Sequence, residues 1–333
     1  MGRALDWVIP AAVIVAIEYA IALWIGFTVG FHYELPTKSY VITTMTISAL
    51  VLTGALLVQL GRYAWASEPR PAARLLSDIR KARLRIYGIV LGCLLVGMQI
   101  GALTWLKTML PITRGFWADT PLAEADRMLF GQDPWVISHK LFGAVTPYLD
   151  RCYITWAPVK FATLIGVIVA AVSATRSRAM LAYFLTVSTG CLLQYAMPSA
   201  GPVFYAHLGL GNQFSAMPVE PWVATARDYL WANYVSGGGK PGGGISAMPS
   251  MHVAVAMWVA FVFRAYFPRL QFLGWAYFAA ILIGSVHLGW HYALDGIVAS
   301  VITLGAWLIA PYALKLSTVR AGRTESTPVP ASR

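Results

Sequence analysis

Two short clusters hold the residues best able to do chemistry. The first is Ser246-Ala-Met-Pro249-Ser250-Met251-His252, directly before an apolar run; the second is His287-Leu-Gly-Trp-His291-Tyr292-Ala-Leu-Asp295, also leading into one. Pro249 suits the first turn of a helix, which would set Ser250 and His252 at its start. Free backbone amides and the positive end of the helix dipole favour an anion such as phosphate there, and the Ser250 hydroxyl adds a donor. His291 and Asp295 are four residues apart and share one helix face. The carboxylate can then hold the proton on one imidazole nitrogen and leave the other as a nucleophile or base. A histidine alone at a membrane border is commonly packed or hydrated. An acid at the start of an apolar span, with a partner one turn away, is a functional signature.

A metal reading competes, because His287, His291 and Asp295 follow one another at ligand spacing. A turn near Gly289 would separate His287 from the other two, and no second histidine box or inward carboxylate pair accompanies them, so no metal or other cofactor is expected. Cys93, Cys152 and Cys191 lie in or beside apolar blocks without CxxC spacing, which indicates neither a disulfide framework nor a zinc site.

The elements that must position these clusters are membrane helices. Of 333 residues, 58% are hydrophobic and only 12% charged, half the charge of an ordinary soluble domain. Apolar blocks fall at about 7–31, 40–60, 86–105, 152–174, 179–198, 249–267 and 271–314. The last is long enough for two spans turning at Leu288-Gly289-Trp290, so the fold class is an all-α polytopic bundle of about eight transmembrane helices. The first block lacks a cleavage pattern and reads as an uncleaved span.

The net charge of +11 sorts by loop. If the segment Arg62–Arg85 is cytoplasmic, that face carries 16 basic and four acidic residues against nine and nine on the other, with Glu18 mid-membrane. Positive-inside bias then puts both termini in the cytoplasm and both clusters outside. All six histidines, including His32, His139 and His207, fall on or near that outer side. The basic surplus is explained by topology and anionic lipid heads, and nucleic acid is excluded as a partner. The lack of any Asn-x-Ser/Thr acceptor points to a bacterial cell membrane.

Two outer connections are long. In Lys107–Arg151, Thr120-Pro121 and Asp133-Pro134 read as helix starts, and Leu122, Ala125, Met128 and Leu129 form an apolar stripe, so two amphipathic helices should lie in the interface. They either pack over the bundle or form a lid or lipid entrance. In Ser199–Met248, Ser236–Ser246 holds six glycines around Lys240, which is followed by proline and preceded by no strand. That departs from a P-loop; a flexible linker is expected, with a mobile phosphate-contacting lid as the alternative.

The ordered pair MPSMH and HYALD resembles the second and third motifs of the type 2 phosphatidic acid phosphatase superfamily. It is closer to the inositol phosphorylceramide synthase and inositolphosphotransferase-like branch, which also has a proline-rich turn like Met197-Pro198-Ser199-Ala200-Gly201-Pro202. The resemblance covers about residues 86–314 as a six-helix catalytic core. It leaves 1–85 as two extra helices with a basic cytoplasmic loop and 315–333 as a disordered cytoplasmic tail. It implies a lipid phosphotransferase with a phosphohistidine at His291, Asp295 as its partner, His252 as general acid and base, and Ser250 at the phosphate. Membrane lipids are the implied partners, as phospholipid or lipid phosphate donor and lipid or polyol acceptor, with no obligatory protein partner. The superfamily's phosphate-gripping Lys-x6-Arg-Pro is not found, and Ser285 stands at another arginine position. Lys160 and His287 are the expected substitutes. A lipid phosphate phosphatase using water, or a non-catalytic scaffold or transporter, are the alternatives.

Overall fold

The computed structural model describes residues 5–30, 37–238, 240 and 242–324, so His32 and the end of the tail at 325–333 lie outside the described residues. The chain folds as α1 (Val8–Thr28), α2 (Thr37–Trp65), α3 (Pro71–Lys81), α4 (Arg83–Arg114), α5 (Asp119–Phe130), α6 (Pro134–Phe142) and α7 (Thr146–Ile154). There follow α8 (Trp156–Val169), α9 (Ala174–Leu193), α10 (Pro221–Val235), α11 (Met251–Tyr266), α12 (Gln271–His287) and α13 (Ala293–Thr324). No strand occurs among the described residues.

Each expected apolar block becomes a helix. Among the described residues five are long and apolar enough to cross a membrane, six if the bent segment from α6 through α8 counts as one. The remaining two blocks form α9, which carries Arg176 and Arg178 in its first turns, and α11, which has 16 residues. Gly289 turns the chain between α12 and α13 at φ +74°, where the long block was expected to divide. Two boundaries differ from the sequence reading. α4 runs on to Arg114 and takes Lys107 into the helix, and α13 continues to Thr324, ten residues into the segment read as a disordered tail.

α9 and α11 sit at the centre, where Phe184, Trp258 and Val259 pack with Trp7, Ile168 and Trp307. The first two helices belong to this bundle. α2 lies so close to α4 that a Cβ on Gly97 or Gly101 would come within 2.7 Å of the Cα of Val41 or Thr37. Small residues four apart let helix backbones meet where lipid supplies no hydrophobic drive. α1 is held through buried Glu18, which accepts from Gln99 of α4 at 3.1 Å and from Ser188 of α9. The C-terminal ends of α4, α9 and α12 and the N-terminal ends of α8, α11 and α13 gather at one end of the bundle. Both sequence clusters are there.

Candidate active site

The second cluster forms on the turn between α12 and α13. His291 Nδ1 lies 3.2 Å from Asp295 Oδ2, and the same oxygen accepts the Tyr292 amide at 3.0 Å. Asp295 is wholly buried, as the first turn of α13 requires of a residue facing α11. Its backbone carbonyl accepts the Ser250 amide at 3.1 Å, tying the two clusters directly. His291 is 5% exposed. Burial first, and the nearby Lys107 ammonium second, push its imidazole down to about 3, so the ring is neutral near pH 7.

His252 faces His291 with ring centroids 5.8 Å apart. It is wedged between Tyr153, stacked at 4.7 Å, and Trp156 at 4.3 Å, while the Trp156 indole donates to its backbone carbonyl at 3.1 Å. α11 starts later than expected. Ser250 is the N-cap and accepts the Val253 amide at 3.3 Å, so Pro249 precedes the helix instead of opening it. Serine is a favoured cap because its oxygen replaces a missing carbonyl, and Ser250 is wholly buried in that position.

Both histidines line a cavity of about 710 Å³. Its polar lining includes Lys107, Lys160 and Ser246, its walls are largely aromatic, and no carboxylate is among its lining residues. Lys160 extends over the Trp156 ring at 4.3 Å. His287 is elsewhere: its Nε2 pairs with Thr146 Oγ1 at 2.8 Å and its ring stacks on His139 at 3.8 Å, outside the cavity lining. The Gly289 turn separates it from His291, so its sequence proximity to the missing arginine position does not become proximity to the site.

The glycine-rich stretch is pinned at several points. Buried Asn233 of α10 donates to the Gly243 carbonyl at 2.8 Å and accepts the Lys240 amide at 3.0 Å, which corrects the expectation of a free linker. Gly242, Gly244 and Ile245 border the cavity, and a Cβ on Gly244 would sit 3.1 Å from the Lys107 backbone. Lys240 itself stands 5.8 Å from the Tyr229 ring; Gly239 and Pro241 lie outside the described residues.

Sequence reasoning missed Lys107, Asp119 and Asp126. Lys107 was lost because the apolar block was closed at 105, although Thr-Met-Leu after it continues the helix. The expected amphipathic helix is α5, but its buried face is Asp119, Leu122, Ala123 and Asp126, while Met128 and Leu129 of the apolar stripe are exposed. Asp119 accepts the Ala200 amide at 2.8 Å, the Gly201 amide at 2.8 Å and the Tyr292 hydroxyl at 2.8 Å. Asp126 accepts the Ala293 amide at 2.6 Å and the Leu294 amide at 3.0 Å. Burial raises both carboxyls, against the pull of these donors. The legible signal was two acids seven residues apart, hence on one face of a short helix.

No curated protein and no solved structure matches the chain. The model of one family, described as the PAP2 superfamily, matches residues 120–309, which include both clusters and leave α1 to α4 outside. That span exceeds half of the chain and agrees with the resemblance carried by the two motifs. The chain therefore belongs to the PAP2 superfamily, as an integral membrane phosphatase or phosphotransferase of the type 2 phosphatidic acid phosphatase kind.

Proposed function

We propose that this protein is a lipid phosphotransferase working through a phosphohistidine, in the manner of the inositol phosphorylceramide synthase-like branch. The observation that carries the reading is a neutral His291 backed by Asp295 and faced by His252, on a cavity with two lysines and no carboxylate among its lining residues. His291 Nε2 attacks phosphorus, and the P–O bond to the leaving group breaks. Asp295 Oδ2 holds the Nδ1 proton and stabilises the imidazolium that forms. His252, protonated once the phosphate's negative charge enters the cavity, gives that proton to the departing oxygen and returns to the neutral base. It then takes one from the incoming hydroxyl as the P–N bond breaks, a role worth roughly 10² to 10⁴ in rate.

Lys107 and Lys160 supply positive charge for the phosphoryl oxygens in a setting where burial strengthens it. Ser250 contributes by capping α11 and holding its first amides towards the site, and His287 by supporting the α12 end. A lipid acceptor is favoured by the cavity's aromatic walls and by a volume far beyond that of phosphate alone. Both termini face the cytoplasm in this reading, with the cavity on the extracytoplasmic side, as the loop charges require.

The test is incubation of the reconstituted full chain with a headgroup-labelled phospholipid, with and without ceramide or an inositol lipid. A labelled lipid product that needs the acceptor is expected, together with acid-labile label on the protein that His291→Ala abolishes. Free phosphate as the sole product would replace the transferase reading with the phosphatase; unchanged turnover in His291→Ala would remove the mechanism.

A further inference from the structure

At the end of the bundle away from the cavity, folding has buried a cation without giving it a partner. Arg176 is the third residue of α9 and 1% exposed, and its Nε, Nη1 and Nη2 all lack an acceptor among the described residues. A guanidinium taken from water in this way is costly unless something anionic meets it. Side chains in a helix lean back towards the N-terminus, which brings this one over the first turn of α9. The N-cap there is Ser173, whose Oγ takes the Arg176 amide at 3.1 Å, and the earlier amides of a helix have no partner inside it.

Among the described residues, the neighbouring charged and titratable groups give it no hydrogen bond. Asp6, from the segment before α1, is the acid whose charge acts on Arg176, and its Oδ1 accepts the Ser177 hydroxyl at 2.5 Å. Arg85 of α4 adds a second positive charge and gives its Nη2 to the Val169 carbonyl. Tyr266, at the end of α11, lies beside Ser173 and brings a hydroxyl to the same place. The assembly is a helix N-terminus, an unpaired buried guanidinium and a second arginine. These are donors in a fork geometry matched to phosphate oxygens.

We propose that Arg176 anchors a phosphate-binding site, filled by the headgroup of an anionic phospholipid in the leaflet opposite the cavity or by free phosphate. α9 has 20 residues, so at about 1.5 Å per residue its first turn is roughly 30 Å from the end that borders the catalytic cavity. The site is therefore separate from His291 and does not depend on the reaction proposed there. The bound phosphate would join α1, α4, α9 and α11 at the end where their own side chains leave positive charge uncompensated.

Native mass spectrometry of the delipidated full chain tests this, with phosphatidylglycerol, phosphatidylcholine or inorganic phosphate added alone. One phosphatidylglycerol adduct is expected to survive activation that strips phosphatidylcholine. It should bind at least roughly thirty-fold more weakly in Arg176→Gln, and be kept in a Lys107→Gln/Lys160→Gln variant, which alters only the cavity. A phosphate-mass adduct with the same response, and no retained lipid, would assign the site to the free ion. Failure of the wild type to retain either anion, or equal retention in Arg176→Gln, would overturn the proposal. Should Arg176→Gln not fold, Arg176→Lys replaces the fork with a point charge and should weaken retention several-fold; unchanged retention there would count equally against the site.

Discussion

Asp119 allows the sharpest test of how the site is held. Its two carboxylate oxygens accept three donors, the amides of Ala200 and Gly201 and the hydroxyl of Tyr292, and it is wholly buried. Tyr292 follows His291, so one carboxylate connects the loop after α9 to the loop bearing the proposed nucleophile. Asn keeps the shape but turns one acceptor into a donor. Its best orientation retains the oxygen that serves Gly201 and Tyr292 and leaves the Ala200 amide facing an NH₂ group. One buried donor unpaired costs about 1–3 kcal/mol. Asp119→Ala leaves three donors unpaired and should cost roughly 3–5 kcal/mol, as when one partner of a buried charged network is removed. A shift of about 1 Å in a reacting group costs on the order of 10² in rate. Asp119→Asn should therefore lower kcat roughly 10- to 100-fold with KM changed only a few-fold, and lower the unfolding temperature in detergent. Tyr292→Phe removes one of the three donors and should cost about 1 kcal/mol. A double-mutant cycle between the two should show coupling of about that size. Wild-type kcat and stability in Asp119→Asn would refute the clamp.

Lys107 lowers the imidazole of His291, so removing its charge should move that group upward from about 3. The acid limb of kcat/KM in Lys107→Met is expected at higher pH than in the wild type; an unmoved limb would mean that the ammonium does not reach the ring. The same group links pH to stability. An unfolded histidine titrates near 6.5, above the folded value, so the unfolded chain binds the extra proton between the two. The His291 contribution is then full above about 6.5 and lost as pH falls towards 3. Denaturant titrations of wild type and His291→Gln across this range should converge at low pH. Between α2 and α4, Gly101→Val would drive a side chain into the Thr37 backbone. It should lower thermal stability and expose α2 to proteolysis, whereas Gly54→Val, where a Cβ meets nothing within 4 Å, should do neither.

Hydrophobic block length was enough to place an all-α bundle of apolar helices, because a span must satisfy its backbone internally, but of the eight spans expected only five, or six with the bent segment, are long and apolar enough to cross a membrane among the described residues. The division of the last block at Gly289 was legible because glycine there takes φ +74°. The tail boundary was not: residues 315–324 are polar and helical, carried by continuation of α13. The glycine-rich stretch misled for a similar reason. Composition registers backbone freedom but not Asn233, seven residues from Lys240 in sequence and hydrogen-bonded to it.

For the site, the sequence by itself determined the local pairings. Ser250 precedes an apolar helix because serine caps one, and His291 and Asp295 are close enough in sequence to pair, although His291 lies on the turn before α13 and not on the helix face expected. Only the tertiary structure decided what those pairings face. Lys107 and Lys160, 53 positions apart, border one cavity, while His287, four residues from His291, is turned away to Thr146 and His139. The physical reason is range. Helical periodicity fixes neighbours within a turn, whereas the charge around a phosphate and the carboxylates that brace its loops come from helices brought together by packing.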